Sequence, residues 1–168
     1  MSERNIKQLV LEQLRNTKIP KSDRKNISTS KDARGFALGT VLVRGIWVPR
    51  QSKNNAKYPK LYELLTELIA LYKPNFKYST IQVNYGFACK KHCDKNNVGP
   101  SYTISLGDFD GGELEVDDRE YVTTYVSKNR FIKFNGNNEH WVLPFEGERY
   151  SIVYFTHTFN GRNKKIYM

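Results

Sequence analysis

Residues 79–157 read STIQVNYGFACKKHCDKNNVGPSYTISLGDFDGGELEVDDREYVTTYVSKNRFIKFNGNNEHWVLPFEGERYSIVYFTH, and this stretch decides the fold. It contains eight short apolar or alternating runs: STIQVNY (79–85), FACKKHC (87–93), SYTISLG (101–107), ELEV (113–116), YVTTYV (121–126), RFIKF (130–134), HWVLPF (140–145) and RYSIVYFTH (149–157). GDFDGG (107–112) and NGNN (135–138) supply turns between them. Alternation with period two gives a strand one buried face, and many short strands at this density pack as an antiparallel sandwich or jelly roll.

Upstream the pattern changes to helical spacing. Tyr58–Tyr72 carries Leu61, Leu64, Leu65, Leu68 and Leu71 along one stripe, with Pro59 in the first turn and Pro74 as the stop. That stripe needs a sheet to cover. Residues 4–16 place Ile6, Leu9, Val10 and Leu14 on one face of a shorter amphipathic helix. Residues 18–35 are polar and basic and read as a linker or surface loop. Phe36–Pro49, rich in β-branched and aromatic residues and broken by Gly39 and Gly45, reads as a strand. QSKNNAK (51–57) reads as a loop. The expected fold is α+β and mostly β, a jelly roll in one domain. Residues 1–78 supply supporting helices and a strand, residues 79–157 the β-core, and residues 158–168 a basic tail.

The charge balance of 27 Lys plus Arg against 17 Asp plus Glu gives a net +10, and 13% aromatic residues exclude a disordered polyelectrolyte. A folded, basic surface favours polyanionic partners such as nucleic acid. The N-terminus lacks a secretory pattern, and no apolar run approaches a bilayer's thickness. The expectation is a soluble intracellular protein, cytoplasmic or nuclear, with no membrane contact and no obligate protein partner. Cys89 and Cys93 are too few for a disulfide framework and suit a reducing compartment. As a zinc half-site they would lack partner ligands.

All three histidines, His92, His140 and His157, fall in the β-rich half. His92 and Asp94, two apart in an expected strand, project from one face while Cys93 points away. A third ligand from a distant strand would complete a two-His, one-carboxylate facial triad, which leaves positions open on non-haem Fe(II). By itself the His-x-Asp pair also fits a surface histidine beside an acid. His140 follows the NGNN turn, and Arg149 and Ser151 alternate on the next run. An Arg/Ser pair facing one way can clamp a carboxylate, the arginine as a fork and the serine through its hydroxyl.

In this order of motifs the sequence resembles the 2-oxoglutarate and Fe(II)-dependent oxygenases, over about residues 80–157. The resemblance implies a double-stranded β-helix, a jelly roll of the cupin-like kind. It implies His92, Asp94 and His140 as iron ligands and catalytic centre, Arg149 and Ser151 as the grip on the distal carboxylate of 2-oxoglutarate, and Fe(II), 2-oxoglutarate and O2 as cofactors, with ascorbate as a reductant. HCDKNNVGPSYTISLGDFDGGEL (92–114) is similar to the core of the TET/JBP nucleic-acid dioxygenases, in which an Asn follows the metal Asp by three positions and a Gly-Gly turn follows the next strand. Here these are Asn97 and Gly111-Gly112. The likeness implies that His157 contacts a flipped 5-methylcytosine and that Phe155 stacks on it, with Phe where the animal enzymes have Tyr. The animal enzymes' cysteine-rich zinc region and long inserts have no counterpart in this sequence.

The expected function is oxidation of the methyl group of a 5-methylpyrimidine, 5-methylcytosine first, in nucleic acid, with DNA ahead of RNA. The alternative is a protein hydroxylase acting on prolyl, lysyl or other side chains with the same cofactors. A third reading is a basic nucleic-acid-binding module on an inactive β-helix. Phe155 also reads as a core aromatic and His157 as a strand-end cap. Lys90, Lys91 and Lys95 read equally as phosphate contacts or as a solvated edge that blocks sheet pairing. Lys21, Arg24 and Lys25, with Arg162, Lys164 and Lys165, are further candidates for backbone contacts.

Overall fold

The computed structural model describes residues 2–22, 32–42 and 48–158. Arg24, Lys25, Gly45, Arg162, Lys164 and Lys165, and the tail beyond residue 158, lie outside the described residues.

Helix α1 (Glu3–Arg15) opens with the Ser2 hydroxyl accepting from the Asn5 N–H at 3.4 Å. Its buried stripe is Ile6, Val10 and Leu14, each fully buried four residues apart. Leu9, expected on that face, lies at its edge and stays 37% exposed. Strand β1 (Arg34–Leu42) follows, then β2 (Pro49–Gln51).

The stretch read as the loop QSKNNAK instead ends β2 and forms a short helix, α2 (Lys53–Lys57). Ser52 caps it, accepting from Asn54 N–H and donating to the Ala37 carbonyl. Helix α3 (Pro59–Tyr72) starts with proline at its first position, as read. Its buried residues are Leu61, Leu64, Leu65, Leu68 and Ile69. Ile69 continues the four-residue steps from Leu61 and Leu65, whereas Leu71 turns to solvent in the last turn at 47% exposure.

The β-rich half contains β3 (Thr80–Tyr85), β4 (Ser101–Leu106), β5 (Phe109–Gly111), β6 (Leu114–Asp117), β7 (Val122–Tyr125), β8 (Ile132–Phe134), β9 (Glu139–Val142), β10 (Phe145–Gly147) and β11 (Tyr150–Phe155). One sheet runs β2-β1-β3-β11-β4-β8; facing it are the three-stranded β7-β6-β9 and the pair β10-β5. Every pairing between these strands is antiparallel. This is the expected double-stranded β-helix. Three local readings change. FACKKHC forms no strand and touches neighbouring backbone only at isolated points. GDFDGG is partly strand, because β5 pairs with β10. HWVLPF divides between β9 and β10.

The large sheet separates two environments. Ile81, Val83, Ile104, Ile152 and Tyr154 face outward and are buried against α1 and α3. Burying one such side chain contributes roughly 1.5–3 kcal/mol. Tyr154 is fully buried and donates its hydroxyl to the Leu65 carbonyl at 2.6 Å, tying α3 to β11. Burial pushes the Tyr154 phenol well above its ordinary pKa, so the group stays a donor. Tyr154→Phe is expected to lower stability by about 1 kcal/mol, read as a lower urea midpoint with an unchanged slope. The opposite face of β3, β4 and β11 alternates to Gln82, Asn84, Thr103, Ser105, Ser151 and Val153, and these point into the barrel. Among the described residues no helix is long and apolar enough to cross a membrane.

Candidate active site

The barrel encloses a cavity of about 470 Å³. All the residues nominated from the sequence for metal, cosubstrate and substrate line it: His92, Asp94, His140, Arg149, Ser151, Asn97, Phe155 and His157.

His92, Asp94 and His140 each offer one ligand atom, and these atoms lie within 4.8 Å of one another. The segment carrying His92 and Asp94 is not a strand, so the same-face argument for the pair fails. Backbone hydrogen bonds to distant segments bring them together instead. His92 and His140 exchange N–H···O bonds of 3.1 and 2.9 Å, and Asp94 N–H donates to the Gly136 carbonyl at 2.8 Å. Gly136 lies close against this corner, since a Cβ there would stand 3.0 Å from Asn97 Nδ2 and 3.5 Å from an Asp94 oxygen.

The imidazoles are oriented by their backbone. His92 Nδ1 donates to the Lys90 carbonyl at 2.7 Å and His140 Nδ1 to the Asn138 carbonyl at 2.8 Å. A carbonyl only accepts, so in the neutral ring the lone pair sits on Nε2. Both Nε2 atoms face Asp94, at 3.8 Å from His92 and 3.4 Å from His140. Two imidazole nitrogens and one carboxylate oxygen, held by outer carbonyls, suit a divalent first-row ion such as Fe(II).

Deeper in the barrel, Arg149 is 3% exposed. Its Nη2 donates to Ser105 Oγ and to the Gly112 carbonyl, both at 3.1 Å, and Nη1 donates to the Phe87 carbonyl at 3.4 Å. The rings of Phe109 and Phe145 lie 5.6 and 5.5 Å from its guanidinium carbon. Gly112 makes the fit possible, because its φ is +73° and a Cβ there would come within 2.7 Å of Arg149 Nε. That Nε is buried and has no hydrogen-bond partner among the described residues. Burial pulls the guanidinium down to about 10, with Cys89 and Glu113 pushing it partly back. A buried cation whose Nε–H is left without a partner is a fit for a small carboxylate such as that of 2-oxoglutarate.

Ser151 stands directly between Asn84 on β3 and Ser105 on β4 in the sheet register. Asn84 Nδ2 donates to Ser151 Oγ at 3.4 Å, and Ser105 Oγ is 2.8 Å from Ser127 Oγ. In this polar row the sequence reading names Ser151 but not Asn84, Ser105 or Ser127. Its signal was present in the alternation of Gln82 and Asn84 with Ile81 and Val83, and of Thr103 and Ser105 with Tyr102 and Ile104.

Toward the other end, Asn97 and His157 form an isolated antiparallel bridge, flanked by Val98 N–H donating to the Thr156 carbonyl at 2.9 Å. The rings of Phe155 and His157 are 5.4 Å apart and tilted by 59°. Phe155 is only partly buried, at variance with a pure core role. Lys91 lies over the Trp141 ring at 4.8 Å, while Lys95 lines the cavity. Cys89 and Cys93 also line it and are not disulfide-bonded.

Residues 77–157 match the family model of the 2OG-Fe(II) oxygenase superfamily. No curated protein sequence matches the chain. Among solved structures, NgTET1 in complex with 5mC DNA aligns at 16% identity and a TM-score of 0.61, over 99% of this chain and 76% of that one. A prolyl-4-hydroxylase from Pseudomonas putida aligns at 16% identity and a TM-score of 0.55, over 92% and 86%. A prolyl hydroxylase from Trichoplax adhaerens, in complex with a hypoxia inducible factor peptide fragment, aligns at 13% identity and a TM-score of 0.56, over 96% and 80%. At such identities the likeness is one of fold.

Proposed function

Because residues 77–157 match the 2OG-Fe(II) oxygenase superfamily, we propose that this chain oxidises the methyl group of a 5-methylpyrimidine, 5-methylcytosine first, in nucleic acid. That match and the His/Asp cluster make the chain a 2-oxoglutarate-dependent dioxygenase with Fe(II), 2-oxoglutarate and O2 as its cofactors. The observation that carries the substrate reading is the grouping of Asn97, Phe155 and His157 at one side of the cavity that also holds the His/Asp cluster. A base removed from its stack needs an aromatic face and polar groups for its edge. Phe155 offers the face, and the Asn97 carboxamide and His157 imidazole offer the polar groups.

In this reading His92, Asp94 and His140 hold Fe(II), which with 2-oxoglutarate and O2 supplies the oxidising power for C–H hydroxylation. Arg149 and Ser151 anchor the cosubstrate's distal carboxylate. Leu114, Val142 and Val153 line the cavity with apolar surface and limit water near the reacting methyl. Phe155 and His157 hold the base in line with the cosubstrate, because Ser151, Val153 and Phe155 share one face of β11. The net charge of +10 favours the phosphate backbone.

The peptide reading draws support from the two prolyl hydroxylases of similar fold. Incubation with Fe(II), 2-oxoglutarate and ascorbate, followed by mass spectrometry of methylated DNA, methylated RNA and proline- or lysine-containing peptides, separates them. A gain of one oxygen on a methylated oligonucleotide is expected, and a gain only on peptide would sink the nucleic-acid reading.

His157→Ala is expected to cut product formation about tenfold, the size of one lost hydrogen bond in a desolvated pocket, while Fe(II) binding stays unchanged. Loss of iron in that variant would move His157 to the metal.

A further inference from the structure

We infer that Asn84, oriented by Gln82, is a positioning residue for the cosubstrate: it occupies a lone pair of Ser151 and turns that hydroxyl's proton toward the carboxylate beside Arg149. The inference rests on the reading of Arg149 and Ser151 as the 2-oxoglutarate clamp.

A serine hydroxyl has one proton and two lone pairs, so its neighbours decide whether it donates or accepts. Gln82 Nε2 donates to Asn84 Oδ1 at 3.1 Å. With its oxygen engaged, the Asn84 amide presents its NH2 group to Ser151 Oγ. The polarity then runs one way, from Gln82 to Asn84 to Ser151, and leaves the serine proton for an acceptor in the cavity. Asn84 is 4% exposed and Ser151 8% exposed, so water competes little for these groups.

The backbone makes room for this chain. Gly35 on β1 lies opposite Asn84 in the β1–β3 register. A Cβ at Gly35 would stand 2.8 Å from the Val83 carbonyl oxygen, 3.0 Å from Asn84 Oδ1 and 3.3 Å from Gln82 Nε2. On the β4 side of Ser151, Ser105 accepts from Arg149 Nη2, and Arg149 Nε is buried with no hydrogen-bond partner among the described residues. Ser151 and Arg149 both line the cavity where an anion is expected, and the serine is aimed by an amide that does not itself need to touch the ligand.

The test is calorimetric titration of 2-oxoglutarate into the protein loaded with Mn(II) in place of Fe(II), which reads binding without turnover. Asn84→Asp keeps the shape but makes the group an acceptor and adds negative charge. It is expected to raise the Kd for 2-oxoglutarate at least tenfold while Mn(II) affinity holds. Asn84→Ala and Ser151→Ala should each weaken binding, and the double variant should be no weaker than Ser151→Ala alone, because the amide acts through the hydroxyl.

A Kd within twofold of the parent for Asn84→Asp, or additive losses in the cycle, would overturn the inference and leave the clamp standing. Unchanged affinity in both Ser151→Ala and Arg149→Lys would overturn the clamp itself and this inference with it. Should Asn84→Asp not fold, Gln82→Met cuts the same chain one step further out. A two- to fivefold rise in Kd is then expected, and no change would again overturn the inference.

Discussion

Asp94→Ala should abolish turnover and weaken Fe(II) binding by about 100-fold or more while the barrel remains folded. Asp94 is the one carboxylate in the cluster and approaches both histidine Nε2 atoms. Its removal leaves two imidazoles, whose ring centroids are 4.4 Å apart, without the anionic ligand that strengthens the hold on a divalent ion. The loss should exceed the 10- to 100-fold cost typical of disturbing groups one step further from a metal. Asp94 is still 30% exposed in its side chain, and its backbone bond to Gly136 does not depend on the carboxylate, so the fold should tolerate the change. Metal titration together with 2-oxoglutarate decarboxylation checks it. Retained decarboxylation in the variant would contradict the assignment of Asp94 as a ligand.

Arg149→Gln is expected to raise the KM for 2-oxoglutarate about 100-fold, with a much smaller change in kcat at saturation. A charge-assisted pair with a buried carboxylate is worth about 1.5–3 kcal/mol, and the upper part of that range is two powers of ten. The effect on stability should run differently. Among the described residues no carboxylate pairs directly with the guanidinium, and burial pulls its pKa down to about 10 although Cys89 and Glu113 push it partly back. An unpaired buried cation costs stability, so replacing it with a neutral amide relieves that cost while loosening the bonds to Ser105, Gly112 and Phe87. The two terms oppose each other, and thermal melting without ligand should shift by only a few degrees. Arg149→Lys keeps the charge but loses the planar fork set between Phe109 and Phe145, so it should recover only part of the affinity. Steady-state kinetics in 2-oxoglutarate, with melting curves taken with and without it, separate the contributions. A KM unchanged in Arg149→Gln would remove Arg149 from the cosubstrate site.

Both results depend on features of unequal legibility. The paired positions Arg149 and Ser151 follow from period two: Ser151 lies in β11, Arg149 immediately precedes it, and both line the cavity. The same rule puts His92 and Asp94 on one face of a strand, whereas the structure brings them together without a strand. FACKKHC does not form a ladder: His92 pairs with His140, the Cys89 carbonyl accepts from Val142, and Asp94 binds Gly136. Those partners lie more than 40 residues away, and local alternation carries no trace of them. Helix α2 escaped notice because Ser52 works as its cap only once β1 supplies the Ala37 carbonyl. Strand β5 was hidden under turn residues because Gly111 packs against Pro144, where a Cβ would come within 2.4 Å of the carbonyl oxygen.

The sequence by itself determined the alternation that builds a β-barrel, the apolar stripes of α1 and α3 that cover one sheet, and the order of the His-x-Asp, His and Arg-x-Ser residues that line the cavity. These are local properties, set by side-chain period and residue chemistry along a few consecutive positions. Only the tertiary structure decided how Asp94 meets two histidines, that Arg149 Nε is buried without a partner among the described residues, and that Gln82, Asn84, Ser151, Ser105 and Ser127 form a polar row beside it. These depend on cross-strand register and on close approaches at Gly35 and Gly112, where segments far apart in the chain come within hydrogen-bonding distance.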